Sequence, residues 1–309
     1  MPNHTIAMLH PGEMGAAVGA CLVWRGFRVL WVAQGRSAAT RARADAAGLE
    51  PCETLDRALA EADVVFSVCP PHAALDLARA VAERHFRGIF VDANAVAAST
   101  ARKIGRSIEA AGASFVDGGI IGPPPNAPGR TRLYLSGPAR EKIAALFASS
   151  DLQAVALDGD AGAASALKMA YAAWTKGSTA LLAAIRALAQ REGVDKSLLA
   201  EWKLSQPQLL RESDAVPAKV YKAWRWVAEM EEIAASFEAA GLPGGFHLAA
   251  AEIYGRLTAF RDSAAPPSLD EVTEALRKPS PLAKEGGAER SEAPRERSRA
   301  ARRLKLRRG

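Results

Sequence analysis

A short apolar run, Thr5 to Leu9, leads directly into His10-Pro11-Gly12-Glu13-Met14-Gly15, and an alanine-rich helical period begins immediately behind it. A strand, a glycine turn and a helix in that order leave backbone N–H groups at a helix amino terminus facing outward. There they can hold an anion, and glycine lets a pyrophosphate come close to the backbone. Gly12 is expected to admit the phosphates and Gly15 to let the helix pack on the strand. His10 stands where the first glycine of G-x-G-x-x-G would be, so context rather than pattern carries this reading, and an ordinary turn is the alternative. The second β-rich run ends at Val32 and is followed by Ala33-Gln34-Gly35-Arg36-Ser37, with no carboxylate before Asp45. A ribose 2′-hydroxyl is normally met by Asp or Glu at this place, whereas arginine and a hydroxyl suit a 2′-phosphate. Arg36, planar and permanently charged, and Ser37 are therefore expected to favour NADP(H) over NAD, with Arg41 close by.

Such a turn needs a scaffold. The first half of the chain alternates short β-rich runs with alanine-rich helical stretches, the pattern of a parallel sheet covered on both faces. Strands are expected over Thr5 to Leu9, Arg28 to Val32, Val64 to Val68, Ile89 to Val91, Ser114 to Val116 and Arg132 to Leu135, with helical segments between them. The fold class is α/β: a doubly wound, Rossmann-type sheet over residues 1–158, followed by an all-helical region over 159–278. In that second region one helix is expected from Gly162 to Glu192. Another opens at Pro217 and closes at Gly241, and Ser268 with Glu271 forms a capping box that starts a last short helix.

Composition narrows the function. The 309 residues are 49 % hydrophobic, enough for a core, and carry a net charge of +6. That surplus lies in 279–309, which hold ten of the 40 basic and four of the 34 acidic residues and leave the remainder balanced. The segment has too few large apolar side chains to offset its ordering entropy and is expected to be a disordered basic tail, with non-specific polyanion contact as the alternative to a solvated one. A neutral body argues against specific nucleic-acid binding. Cys21, Cys52 and Cys69 are an odd number and show no disulfide framework or C-x-x-C pair, which suits a reducing, cytoplasmic setting. The amino terminus shows no signal-peptide pattern and no apolar run reaches membrane-spanning length, so a soluble protein is expected. The five histidines show no metal-ligand spacing, so no metal is expected.

Four stations, in order, resemble the β-hydroxyacid dehydrogenase superfamily of 3-hydroxyisobutyrate and 6-phosphogluconate dehydrogenases. Gly12-Glu13-Met14-Gly15 is similar to its Gly-x-Met-Gly turn. Cys69-Pro70-Pro71 resembles its loop beside the nicotinamide ribose. Asp117-Gly118-Gly119-Ile120-Ile121-Gly122 is similar to its substrate segment, and Gly162-Ala163-Ala164-Ser165-Ala166-Leu167-Lys168 to its catalytic helix. The resemblance covers about Thr5 to Leu276. It implies a dinucleotide cofactor held by Gly12, Glu13, Met14, Gly15, Cys69, Pro70 and Asn94, and a helical domain that pairs two subunits. It further implies that Lys168 exchanges a proton with the substrate oxygen while hydride moves to or from the nicotinamide. A lysine partly desolvated on a small-residue helix is physically suited to that work.

The departures from the family pattern shape the substrate expectation. Where the family has Asn four residues after the lysine this chain has Ala172, beside Tyr171. Ile121 replaces a serine, and Glu229 falls where a carboxylate-binding lysine is usual. A substrate larger or less acidic than a small β-hydroxy acid follows, met by Asp117, Gly118, Gly119, Ile121, Trp174 and His247, with Tyr171 as a second proton donor. An imine-reducing enzyme is the rival reading, and a non-catalytic NADPH-binding sensor or scaffold the rival from another class.

Overall fold

The structure is a computed structural model that describes residues 4–220, 223–261, 263 and 265–278; the expected tail lies outside these residues. In chain order the sheet-bearing part contains β1 (Thr5–Met8), α1 (Glu13–Trp24), β2 (Arg28–Val32), α2 (Ala38–Ala46), β3 (Glu50–Cys52), α3 (Leu55–Glu61), β4 (Val64–Ser67), α4 (Ala74–Ala82), β5 (Ile89–Asp92) and α5 (Ala98–Ala110). It continues with β6 (Ser114–Ile121), β7 (Thr131–Ser136), α6 (Arg140–Leu146) and β8 (Leu152–Ala156). Helices α7 (Ala163–Arg191), α8 (Asp195–Ser205), α9 (Pro207–Asp214), α10 (Val216–Val220), α11 (Trp226–Ala239), α12 (Gly245–Arg256) and α13 (Leu269–Arg277) follow among the described residues.

The eight strands form one sheet in the order β3-β2-β1-β4-β5-β6-β7-β8, parallel except where β6 meets β7. Strands β4 and β5 are buried along their whole length, as expected where both faces of a parallel sheet are covered. Trp31 and Phe66 anchor the core on one face, and Phe90, Phe115 and Ile104 anchor it on the other. Because the chain goes from β1 to β2 on one side and returns to β4 on the other, the loops after β1 and β4 part there. A crevice opens at the carboxyl ends of the strands. Residues 9–15, 68–70 and 93–97 all lie at that edge.

The doubly wound sheet followed by helices agrees with the expected fold class. Strands β3 and β8 and helix α6 were not anticipated. The larger difference is β6, which was expected to end at Val116 and instead runs to Ile121 through Asp117-Gly118-Gly119, paired with β7. Helices α7 and α11 end as expected, with Gly193 at φ 72° and Gly241 at φ 73° just beyond them. The single helix expected from Pro217 is instead α10, a 3₁₀ turn at Ala223–Arg225, and then α11. Ser268 and Glu271 form the reciprocal capping box of α13.

Contacts divide the chain into two compact units, and the division is not a single cut at 158. One unit holds Met1–Leu181 with Arg225–Ala251, and the other holds Leu182–Trp224 with the residues from Glu252 onward. The first therefore keeps most of α7 and all of α11 with the sheet. In the second, buried Arg186 makes a two-pronged ion pair with Asp195 (2.7 and 3.1 Å) and donates to Ser213 Oγ at 2.7 Å. Gln190 ties α7 to α13 through Asp270 and Thr273. Among the described residues no helix is long and apolar enough to cross a membrane, and no group of three or more His, Cys, Asp or Glu is placed to hold a metal.

Candidate functional site

The turn after β1 is built around a missing side chain. A Cβ at Gly15 would fall 2.1 Å from the carbonyl oxygen of His10, so only glycine lets the first turn of α1 sit on the strand end. Gly12 caps α1 with extended backbone and no side chain caps the helix, which leaves its first amides available to an anion. A Cβ at Gly12 would meet nothing within 4 Å, so the space in front of those amides is open. The residues present thus fit a dinucleotide pyrophosphate. Glu13, in the same turn, is paired with Arg225 at 2.8 Å, which counters a negative charge where phosphate would lie.

The residues around the turn are arranged less simply. Arg36 folds over the end of β1, with Nη2 3.4 Å from the Leu9 carbonyl oxygen, and burial lowers its pKa. His10 lies beside it. Burial, helped by the Arg36 charge, pushes the imidazole down to about 4, so it is neutral at physiological pH, and its buried Nδ1 has no hydrogen-bond partner. Ser37 caps α2, accepting from Thr40 N at 3.2 Å, and Arg41 donates to the Ala33 carbonyl at 2.8 Å.

Asn94 ties together the ends of β4 and β5. Its Oδ1 accepts from Cys69 N at 2.6 Å, and its Nδ2 donates to Ser67 Oγ at 2.8 Å and to Asp92 Oδ1. Asp92 is buried with Oδ2 unpartnered. Burial first, and then the neighbouring Asp117, raise its pKa well above its ordinary value, which favours the neutral acid. Burial and Asp92 likewise push the Cys69 thiol up to about 12, making it a neutral wall rather than a nucleophile. Pro70 starts the short 3₁₀ turn that follows.

Asp117 was expected at the substrate; the structure places it at the amino terminus of α7 instead. Its Oδ2 accepts from Gly162 N (2.9 Å), Ser165 N (3.0 Å) and Ser136 Oγ (2.9 Å), and its Oδ1 accepts from Ser165 Oγ at 2.5 Å. A fully buried carboxylate with four donors is a helix cap delivered from a strand. Of the glycines beside it, Gly119 admits the same helix and Gly118 admits the end of β5. A Cβ at Gly119 would stand 2.6 Å from the Ala164 carbonyl oxygen and 3.0 Å from Lys168 Cβ, and one at Gly118 would stand 3.1 Å from the Asp92 carbonyl oxygen. Asp117 and Gly119 thereby set the height of Lys168 on the sheet.

Lys168 faces a cavity of 170 Å³ lined by Met14, Val68, Cys69, Ala93, Asn94, Ala95, Ile120 and Glu229. Its side chain is 15 % exposed. The phosphate turn, the Asn94 network and the lysine of α7 thus meet in one hollow. Ile120, not Ile121, lines it, because successive strand side chains point to opposite faces. Tyr171 and Trp174 are 49 % and 73 % exposed on α7 and are not lining residues. His247 is buried against Phe237 (4.3 Å between ring centres) and Phe246 (5.4 Å), which makes it a packing residue of α12 away from the lining.

Glu229 and Lys176 complete the site. Glu229 Oε1 lies 3.4 Å from Lys168 Nζ and 2.6 Å from Lys176 Nζ. Burial works to raise the Glu229 carboxyl, but the two ammonium groups prevail and hold it below its ordinary value. Lys176 is brought down to about 8, by burial and then by the Lys168 charge. Helix α11 is fixed by Glu232, which accepts from Ala97 N (2.6 Å) and Thr100 Oγ1 (3.0 Å) at the start of α5. Sequence reasoning did not single out Lys176, Glu232 or Asp92. The one available signal was that Lys176 lies eight residues, little more than two turns, beyond Lys168 on the same helix.

Comparisons with known proteins agree with this architecture. Residues 5–150 match the family described as the NAD-binding domain of 6-phosphogluconate dehydrogenase, and residues 189–257 match a domain of unknown function (DUF1932). An uncharacterised 28.5 kDa protein of Methanothermus fervidus is 29 % identical over 166 residues, which is 54 % of this chain and 63 % of that relative's length. A conserved protein of unknown function with structural similarity to 3-hydroxyacid dehydrogenases is 27 % identical at a TM-score of 0.62, covering 83 % of this chain and 98 % of its own. The 3-hydroxyisobutyrate dehydrogenase of Mycobacterium tuberculosis, solved with L-serine, shares the fold at 20 % identity and a TM-score of 0.63, over 89 % and 99 % of the two chains. A matching dinucleotide-binding domain, a helical region behind it and a solved structure with similarity to 3-hydroxyacid dehydrogenases over most of its length together support a β-hydroxyacid dehydrogenase-like superfamily member.

Proposed function

We propose that this protein is an NADP(H)-dependent oxidoreductase acting on a hydroxyl or carbonyl group, with a substrate less acidic than a small β-hydroxy acid. The observation that carries the reading is Lys168, half-buried at a hollow shared with Met14 of the phosphate turn and Asn94 at the end of β5. Bound there, the dinucleotide supplies or accepts a hydride at the substrate carbon. Lys168 gives a proton to the oxygen on reduction and takes one on oxidation. Asn94 holds the Cys69 loop at its working height, and the apolar lining of Val68, Ala93 and Ile120 keeps water out. Glu229 stands where a substrate carboxylate would otherwise approach Lys168, and like charges in a buried site repel. Arg36, within reach of the turn, supports a preference for a 2′-phosphate. A homodimer belongs to the same reading. Leu167, Tyr171, Trp174 and Leu181 form an exposed apolar stripe at four-, three- and seven-residue intervals on α7, suited to a second copy.

One observation favours a second reading, reduction of a C=N bond. The Glu229 carboxylate lining the hollow can face the positive charge of an iminium substrate. A single panel separates the possibilities: NADPH and NADH oxidation with neutral ketones, 3-keto acids and cyclic imines, the reverse reaction with hydroxy acids, and Lys168→Ala and Arg36→Ala alongside. Ketone turnover with NADPH, lowered about 100-fold or more in Lys168→Ala, is the expected result, general acid catalysis contributing about 10²–10⁴-fold. Arg36→Ala weakens NADPH and leaves NADH little changed. Lys168→Ala within a few fold of wild type, or small β-hydroxy acids as the best substrates, refutes the reading. Cofactor binding with no turnover of any class points to a non-catalytic sensor.

A further inference from the structure

Lys176 has no part in the chemistry just described, yet it holds the group that faces Lys168. Both ammonium groups address the same oxygen, Glu229 Oε1, at 2.6 Å from Lys176 and 3.4 Å from Lys168. Their backbones are about 12 Å apart along α7, so two long side chains converge on one carboxylate from opposite ends. The shorter contact is a close hydrogen bond, and the longer one is an ion pair at the outer edge of hydrogen-bond distance. Glu229 is therefore held chiefly by Lys176.

We propose that Lys176 is a positioning residue for Lys168: by drawing the Glu229 carboxylate to itself, it prevents a tight Lys168–Glu229 pair that would hold the Lys168 amine on the carboxylate and away from the substrate oxygen. The inference rests on the reading of Lys168 as the proton-transfer residue. Among the described residues, Glu229 on α11 and Lys168 on α7 act on the Lys176 charge. The Trp226 ring lies 5.8 Å from Lys176 Nζ. Across the hollow stand Asn94 and the neutral Cys69 thiol, while Glu232, the next acid of α11 toward the sheet, is turned to the start of α5. Burial and the Lys168 charge already make the Lys176 ammonium easier to discharge, with a pKa near 8, so the arrangement is most complete below that pH.

The test reads the amine itself and needs no substrate. The full chain and its Lys176→Met, Lys176→Gln and Lys176→Arg variants are pulse-labelled with acetic anhydride from pH 6.5 to 10.5, and acetylation of Lys168 is quantified by peptide mass spectrometry. Removing the Lys176 amine removes the hydrogen bond that holds Glu229, so Glu229 closes on Lys168. The nearer carboxylate favours the ammonium form, so the half-labelling pH of Lys168 rises in the Met and Gln variants. Lys176→Arg stays near wild type, and adding Glu229→Gln to Lys176→Met brings the midpoint back down. Thermal melts confirm that each variant is folded, and the Gln variant, which keeps a donor toward Glu229, stands in if the Met variant is not. A Lys168 profile unchanged within a few tenths of a unit in the folded variants overturns the proposal. A shifted profile combined with unimpaired turnover in Lys168→Ala leaves the coupling intact and removes only the proton-transfer role.

Discussion

Replacing Asp117 by alanine removes in one step the acceptor for Gly162 N, Ser165 N and the hydroxyls of Ser136 and Ser165. The hydroxyls can turn to other acceptors, but the two backbone N–H groups at the start of α7 cannot. Each buried donor left unmade costs about 1–3 kcal/mol, so the pair costs about 2–6 kcal/mol. Against the roughly 5–15 kcal/mol that holds a domain folded, that is a large share. Asp117→Asn is far milder. An amide oxygen in the Oδ2 position keeps three donors, the Ser165 hydroxyl can accept from the new NH₂, and what is lost is charge assistance, about 1 kcal/mol. Urea denaturation followed by tryptophan fluorescence is expected to rank wild type just above the Asn variant and far above the Ala variant. NADPH binding to the folded Asn variant stays unchanged. If the Ala variant unfolds at the wild-type midpoint and only a substrate KM moves, Asp117 contacts substrate and its assignment as the cap of α7 is wrong.

Gly119→Ala forces a Cβ to within 2.6 Å of the Ala164 carbonyl oxygen, so α7 must shift. The expected cost is about 1–3 kcal/mol in stability, and displacement of Lys168 by about 1 Å lowers kcat by up to about 100-fold. Gly118→Ala, whose nearest contact is 3.1 Å, serves as the mild control. Equal kcat and melting temperature for wild type and Gly119→Ala would show that the helix does not depend on this approach. Asp92 supplies a pH test. Its native pKa is raised, so the folded state holds a proton that the unfolded state releases above the ordinary carboxylate range. Wild-type stability therefore falls as pH climbs out of that range, and the penalty levels off once the native group also ionises. Asp92→Asn cannot ionise, so its melting temperature exceeds that of wild type at pH 7–8 and converges with it near pH 4. A gap that does not vary with pH contradicts the buried neutral acid.

What could be read along the chain was the chemistry of neighbours. The turn from Leu9 to Gly15 was legible because its glycines act within a few residues of one another, and the capping box of α13 because Ser268 and Glu271 are three apart. Lys168 was legible from its helix and from the family likeness. Strand β3, three residues with a proline, and α6, two turns long, carry too little periodicity to stand out from a loop. The glycines of β6 suggested a loop because glycine weakens a strand locally, but a helix pressing on that strand from 45 residues away calls for Gly119, and the end of β5 calls for Gly118.

By itself the sequence determined that a dinucleotide-type turn opens a doubly wound sheet, that helices follow, and that Lys168 belongs to one of them. Hydrophobic period, glycine turns and caps are short-range properties, and each follows from a few adjacent side chains. Only the tertiary structure decided what faces that lysine. Glu229 is 53 residues from Lys176, and Asp117 is 48 from the Ser165 it holds. Burial then fixed the charges, lowering Lys176 and raising Asp92, because a group's proton affinity depends on the solvent it has lost and the charges it has met, neither of which is a property of its neighbours in sequence.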